Sequence, residues 1–394
     1  MEPAASPALP EGFHAATASA AIKRPGREDM ALLRCPDGAA LAAMYTTNLV
    51  CAAPVQVSRA NLRASGGRCG ALLINSGCAN AATGGDGLRD AQSLVRATAE
   101  ACGIRMEEVQ HDSTGVIGAR LPVERMIDRI GPMAAAASPG SAEPFARAIM
   151  TTDTHPKMAE CMVEHEGRRC TVVGVAKGAG MIHPNMATMI AVLMTDAALA
   201  PPDLDAHLRA AVERSFHRIS IDGDTSTNDA VFALASGRRG AFPADRLRQA
   251  FVDVARSLAM QVVRDGEGSE RSLHVRVTGA RTPEDALAVA RTVAGSLLVR
   301  CAVTGGDPNW GRILAAAGRA GVPFDVDRVA LRVGGAPLFE RGAPAPTPRA
   351  AREAAFRGRT VEIALDLACG EACDEFITCG LTTEYVRLNA DYTT

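Results

Sequence analysis

The segment Gly180-Met-Ile-His-Pro-Asn-Met-Ala-Thr188-Met-Ile-Ala-Val-Leu193 runs from turn-forming Gly, Pro and Asn straight into an apolar strand whose first polar residue is Thr188. A threonine hydroxyl is a poor nucleophile at neutral pH and needs a base beside it. A cut before Thr188 would supply one, because the freed α-amine, with a pKa of about 8, would sit within reach of the same residue's hydroxyl. The plain alternative is a β-branched residue on a half-buried strand.

Other stretches that invite a chemical reading lose on spacing. Lys177-Gly-Ala-Gly180 follows a strand-like run, yet the G-x-x-x-x-G-K-[ST] order of a phosphate loop is absent and the lysine precedes the glycines. Asp222-Gly-Asp224-Thr-Ser226 imitates the start of a calcium loop, but Thr227 stands where glycine is required and Ala233 where the bidentate Glu belongs. There is neither a G-x-S-x-G elbow nor an H-E-x-x-H pair. Lysine is scarce: arginine carries nearly every positive charge, and Lys occurs only at positions 23, 157 and 177, which directs attention to Lys177 as a compact, flexible ammonium.

These residues need a scaffold, and the periodicity predicts an α/β one. Helical spacing is clearest in 86–102, 201–216, 245–263 and 283–299, the last opening on Thr282-Pro283-Glu284-Asp285, an N-cap with Pro at the first helical position. Apolar runs 71–74 and 171–175 read as buried strands, and 273–277, 328–333 and 360–365 as further strands. The reading is a tail over 1–11, a layered core over 12–280 and a smaller α+β domain over 281–394, with the proline-rich stretch Gly334 to Arg349 as an exposed loop.

Composition bounds the function. The 394 residues are 47% apolar and 22% charged, with 42 basic against 44 acidic side chains, so no nucleic acid and no membrane partner is expected. No secretory h-region and no apolar run of spanning length occurs, and the eleven cysteines form no C-x-x-C pair. That pattern points to free thiols in the cytoplasm, with Cys369, Cys373 and Cys379 lacking a histidine at metal-ligand spacing.

Lys177-Gly-Ala-Gly-Met-Ile-His-Pro-Asn-Met-Ala-Thr188-Met resembles the self-cleavage signature of the ornithine acetyltransferase (glutamate N-acetyltransferase) family of arginine biosynthesis. Six more blocks are similar to family blocks: Asn75 to Gly84, Ser113 to Gly118, Met150 to Thr154, Ser220 to Asp229, Asp307 to Arg312 and Tyr385 to Thr394. The resemblance implies an αββα sandwich core of two sheets flanked by helices, with the smaller C-terminal α+β domain. It also implies a precursor that cuts itself between Ala187 and Thr188 into chains that assemble as a heterotetramer, two copies of each.

The implied reaction moves the acetyl group of N-acetylornithine to glutamate through an acetyl ester on Thr188, giving ornithine and N-acetylglutamate with no metal and no bound cofactor. Acetyl-CoA stays open as a second donor. Thr114 and Gly115 match the oxyanion hole, and Thr151, Lys177, Thr188, Glu267, Asn389 and Thr394 the substrate-binding positions. Glu267 competes with Glu270 in a stretch that equally reads as a solvated turn, and Asn389 and Thr394 require a C-terminus that is tied down. His183 receives no role. The alternatives are an N-terminal-Thr aminopeptidase or amidase of related fold, and a non-cleaving relative that binds an amino acid.

Overall fold

The computed structural model describes residues 6–183 and 189–391. They divide into two compact units, the first built from 6–217 and 224–262, the second from 218–223 and 263–391.

The first unit holds β1 (His14–Ala18), β2 (Met30–Tyr45), α1 (Ala53–Ser65), β3 (Arg68–Cys78), α2 (Gly84–Cys102), β4 (Val109–Val116), α3 (Val123–Ala136), α4 (Glu143–Ala148), β5 (Lys157–His165), β6 (Arg168–Lys177), β7 (Ile190–Ala197), α5 (Pro201–Glu213), β8 (Ala230–Gly240) and most of α6 (Ala244–Arg264). Its eight strands form one mixed sheet in the order β4-β3-β2-β8-β7-β6-β5, with β1 added to β2. The 16-residue β2 is the link: its first part pairs with β1 and β3, its last part with β8, and its register with β3 shifts between Arg34 and Ala39.

That long strand lets one hydrogen-bonded sheet serve as two layers. Five strand steps separate β4 from β6, which in a flat sheet is about 24 Å. Yet Lys177 at the end of β6 hydrogen-bonds Thr114 in β4 at 3.1 Å. The sheet therefore folds back on itself, and Leu33, Leu72 and Ile74 of one half share a core with Val173, Val175, Val192 and Phe232 of the other. On the opposite face Leu32, Ala71 and Leu73 pack against Leu94, Met126 and Ile130 of α2 and α3. Gly174 in the second half lies close under Val254 and Leu258 of α6. This is the expected αββα order, with its two layers joined through β2 rather than separate.

The second unit holds β9 (Ser272–Ala280), α7 (Pro283–Ala294), α8 (Leu297–Gly305), α9 (Trp310–Gly318), β10 (Ala330–Val333), β11 (Ala336–Glu340), β12 (Ala343–Pro344), α10 (Arg349–Ala355), β13 (Thr360–Asp366), β14 (Ala372–Cys379) and α11 (Thr383–Asp391). Six strands in the order β12-β11-β10-β13-β9-β14 form a mixed sheet. Val361, Ile363 and Leu365 turn to a core made with α7, α8 and α9, while Glu362, Ala364 and Asp366 are exposed, the alternation of a sheet covered on one face.

Four sequence expectations change. Residues 7–10 are not a loose tail: Leu9 N–H donates to Gly140 O at 2.8 Å, Ala142 N–H to Pro7 O at 2.9 Å, and Leu9 is buried. The strand 273–277, read as the end of the first domain, is central to the second unit because β9 pairs with both β13 and β14. The proline-rich stretch forms the β11–β12 hairpin, with Leu338 and Phe339 buried. The helix 283–299 breaks at Gly295, where the Ser296 side chain accepts the Val299 N–H and starts α8. Among the described residues no single helix is long and apolar enough to cross a membrane.

Candidate active site

Strand β4 carries Gln110, His111, Asp112 and Ser113, all fully buried, so each requires polar partners or a neutral form. Ser113 Oγ donates to Asn75 Oδ1 at 2.6 Å, and Asn75 Nδ2 donates to Cys78 O at 3.1 Å. Asn228 Nδ2 donates to Ser113 O at 2.7 Å and to Ala79 O at 2.8 Å. Residues from three separate sequence blocks thus bracket the ends of β3 and β4 and the start of β8. The bracket presents Thr114 and Gly115.

Gly115 has φ +133°, and a Cβ there would lie 2.3 Å from Gly77 C and 2.5 Å from Cys78 N. Glycine is the residue that fits, and it brings the β4 backbone against β3. Lys177 is 5% exposed and donates from Nζ to Thr114 Oγ1. A hydroxyl that accepts from an ammonium keeps its own proton to donate, and the adjacent positive charge polarises it. Thr114 and Gly115 together suit an oxygen that gains negative charge during reaction at a carbonyl.

Carboxyl groups surround the lysine. Burial raises Asp112 well above the usual carboxylate range, against the pull of Lys177. Burial, then the nearby Asp112, raises Asp229 likewise. Burial also lowers His111 to about 4, so its imidazole is neutral at pH 7. Asp153 is the contrast: burial would raise it, but the Lys177 and Lys157 ammonium groups and the hydrogen bonds from Lys157 and Thr151 hold it at about 2. Lys157 Nζ donates to Asp153 Oδ1 at 2.7 Å, with both side chains shut off from solvent.

Two further candidates lie in the second unit, in the loop after α6 and on α11. Asn389 Nδ2 on α11 donates to Glu267 Oε2 at 2.8 Å, which joins two residues the sequence placed at the substrate. The loop is no free turn: Thr382 Oγ1 donates to Gly268 O at 2.7 Å, and a Cβ on Gly268 would meet Tyr385 N at 2.5 Å. These contacts tie α11 to the loop at Tyr385 and Asn389.

Ala187, Thr188 and Thr394 lie outside the described residues. Thr151 presents its N–H to Asp153 Oδ2 at 2.9 Å. Asn80, within the block Asn75 to Gly84, uses its side chain locally, donating to Gly87 O at 2.9 Å and accepting from Thr83 Oγ1 at 2.8 Å. The sequence reading did not single out the charged groups packed around Lys177, which are Asp112, Asp153 and Asp229, or Lys157, the partner of Asp153. Lysine scarcity was the one signal that could have found Lys157, since it is one of three.

Fold and site together define a mixed α/β protein with two mixed sheets and a threonine-glycine edge polarised by a buried lysine, an arrangement suited to acyl chemistry. Residues 14–394 match the ArgJ family, and the chain belongs to that family. It is similar to the arginine biosynthesis bifunctional protein ArgJ of Parasynechococcus marenigrum (strain WH8102), 44% identical with 98% of this chain and 94% of that protein covered. The protein of the same name from Symbiobacterium thermophilum is 46% identical, with 98% of each covered. Among solved structures, the ornithine acetyltransferase complexed with ornithine from Mycobacterium tuberculosis is 38% identical and aligns with a TM-score of 0.41 over 45% of this chain and 93% of that one.

Proposed function

We propose that this ArgJ-family enzyme moves the acetyl group of N-acetylornithine to glutamate through an ester on Thr188, in the cytoplasm, as part of arginine biosynthesis. The observation that carries the reading is the hydrogen bond from Lys177 to Thr114 beside Gly115, which equips a carbonyl-activating edge. Maturation comes first. The Thr188 hydroxyl attacks the Ala187 carbonyl, the acyl group shifts from nitrogen to oxygen, and water cleaves the ester to leave the Ala187 carboxylate and the Thr188 α-amine. Two copies of each resulting chain then assemble.

In turnover the α-amine takes the proton of the Thr188 hydroxyl as Oγ1 attacks the acetamide carbon of N-acetylornithine. The carbon–nitrogen bond breaks, the proton passes to the departing amine, and ornithine leaves. The glutamate amine then attacks the acetyl ester and the hydroxyl regains its proton. Thr114 and Gly115 stabilise both oxyanions. An ammonium has three N–H donors, so its bond to Thr114 leaves Lys177 able to meet a substrate carboxylate. Glu267 faces ornithine's side-chain ammonium, and Thr151, Asn389 and Thr394 supply amide and hydroxyl partners. We extend to this chain the bifunctionality in its relatives' names, with acetyl-CoA as the second donor.

The test is the intact mass of the purified protein under denaturing conditions, with N-terminal sequencing. Two chains of nearly equal mass, one starting Thr-Met-Ile-Ala, replace the 41.0 kDa precursor. The Thr188→Ala protein stays as one chain and releases no ornithine from N-acetylornithine and glutamate. A cleaved, active Thr188→Ala protein would overturn the nucleophile.

A further inference from the structure

Asp153 has no part in the chemistry described above, yet it is held from three directions. It lies between α4 and β5 with its carboxyl shut off from solvent. Oδ1 accepts the Gly178 N–H at 2.6 Å as well as the Lys157 ammonium at 2.7 Å, and Oδ2 accepts the Thr151 N–H at 2.9 Å. Gly178 directly follows Lys177, and Thr151 is itself a substrate contact in the proposed reaction. One side chain therefore ties together the backbone at two site residues that lie 26 positions apart in sequence.

Holding a buried carboxylate and a buried ammonium is costly, and apolar residues of similar volume would pack as well or better. A pair of this kind is worth its desolvation where charge and hydrogen-bond direction do what packing cannot. Here the charge is needed twice. The carboxylate gives strong acceptors to two backbone N–H groups, and it faces a cluster in which Lys157 and Lys177 would otherwise repel each other. Asp112 and Asp229, the other carboxyl groups near Lys177, are held toward their neutral forms by burial and so compensate it less.

We infer that Asp153 is a positioning residue: with its charge balanced by Lys157, its carboxylate fixes the backbone at Gly178 and Thr151 and so aims Lys177 and Thr151 at the substrate. This rests on the reading of Lys177 as a substrate contact. The test compares Michaelis parameters for N-acetylornithine and glutamate in the full chain and in four variants: Lys177→Met, Asp153→Asn, Lys157→Met and the double variant Asp153→Asn/Lys157→Met. Asp153→Asn alone strands a buried ammonium and can fail to fold, whereas the double variant removes both charges together.

The double variant is expected to fold, to raise KM for N-acetylornithine about tenfold or more, and to keep kcat within about threefold of wild type. Lys157→Met, which keeps the carboxylate and both backbone bonds, is expected to lose thermal stability while its KM stays close to wild type. Wild-type KM in the double variant would reduce Asp153 to Lys157's partner and overturn the inference. Equal rises in KM for Lys157→Met and the double variant would also overturn it, because the carboxylate would then not be the cause. A wild-type KM in Lys177→Met would defeat the substrate reading itself, a separate failure.

Discussion

Lys177 Nζ donates a hydrogen bond of 3.1 Å to Thr114 Oγ1, across 63 residues of sequence and between the two layers of the first unit. The bond does two things at once. It gives the lysine a polar partner in a site where it is 5% exposed, and it leaves the threonine proton directed elsewhere.

Thr114→Val keeps the shape of the side chain and removes the donor. Ornithine release should fall by about 10²–10³ while circular dichroism stays unchanged, the usual cost of one oxyanion donor. Thr114→Ser should recover most of the rate. Equal rates for Val and Thr would remove the hydroxyl from the chemistry.

Gly115→Ala places a Cβ against the Gly77 and Cys78 backbone at a φ of +133°. Neither obstacle is the end of a flexible side chain, so the strands must part. A loss of about 3 kcal/mol or more, or failure to accumulate folded protein, is expected. Denaturant midpoints for the alanine variant would decide it, and a wild-type midpoint would contradict this close packing of β4 on β3.

Acid should weaken the protein through Asp153. Its folded pKa of about 2 lies below the ordinary 3.8, so its contribution is present above pH 4 and is lost as pH falls toward 2. A shift of that size corresponds to about 2 kcal/mol. Urea midpoints at pH 5 and pH 3 should separate more in wild type than in the Asp153→Asn/Lys157→Met variant. Parallel behaviour would mean that the carboxylate's charge is not stabilising.

Asp229 carries the opposite sign. Burial, aided by Asp112, raises its folded pKa, so its contribution is largest at low pH and declines as pH rises above the ordinary carboxylate value. Asp229→Asn should therefore gain stability relative to wild type between pH 5 and pH 8. Urea midpoints that track each other across that range would refute the buried neutral carboxyl.

Much of this was legible along the chain. The helix from Pro283 starts where its Thr282 cap says it should, with the Thr282 side chain accepting the Asp285 N–H at 3.2 Å. Strands 71–74, 171–175 and 360–365 fall within β3, β6 and β13. Prolines hid the β11–β12 hairpin, because a loop composition and an edge hairpin share the same residues. The domain boundary was missed because the partners of β9 are β13 and β14, which follow much later in sequence.

The sequence by itself determined many local elements and the chemical types available: a threonine after turn-forming residue types, a Thr-Gly pair, three lysines. Caps and periodicities act over three or four residues, so they can be read from a single chain. Only the tertiary structure decided that Lys177 meets Thr114, that Asn389 meets Glu267, and that Asp153 rather than water solvates Lys157. The first pairing depends on how β2 folds one sheet into two layers and the others on loops and buried charges meeting in space, and contacts of that kind leave no periodic trace in the order of residues.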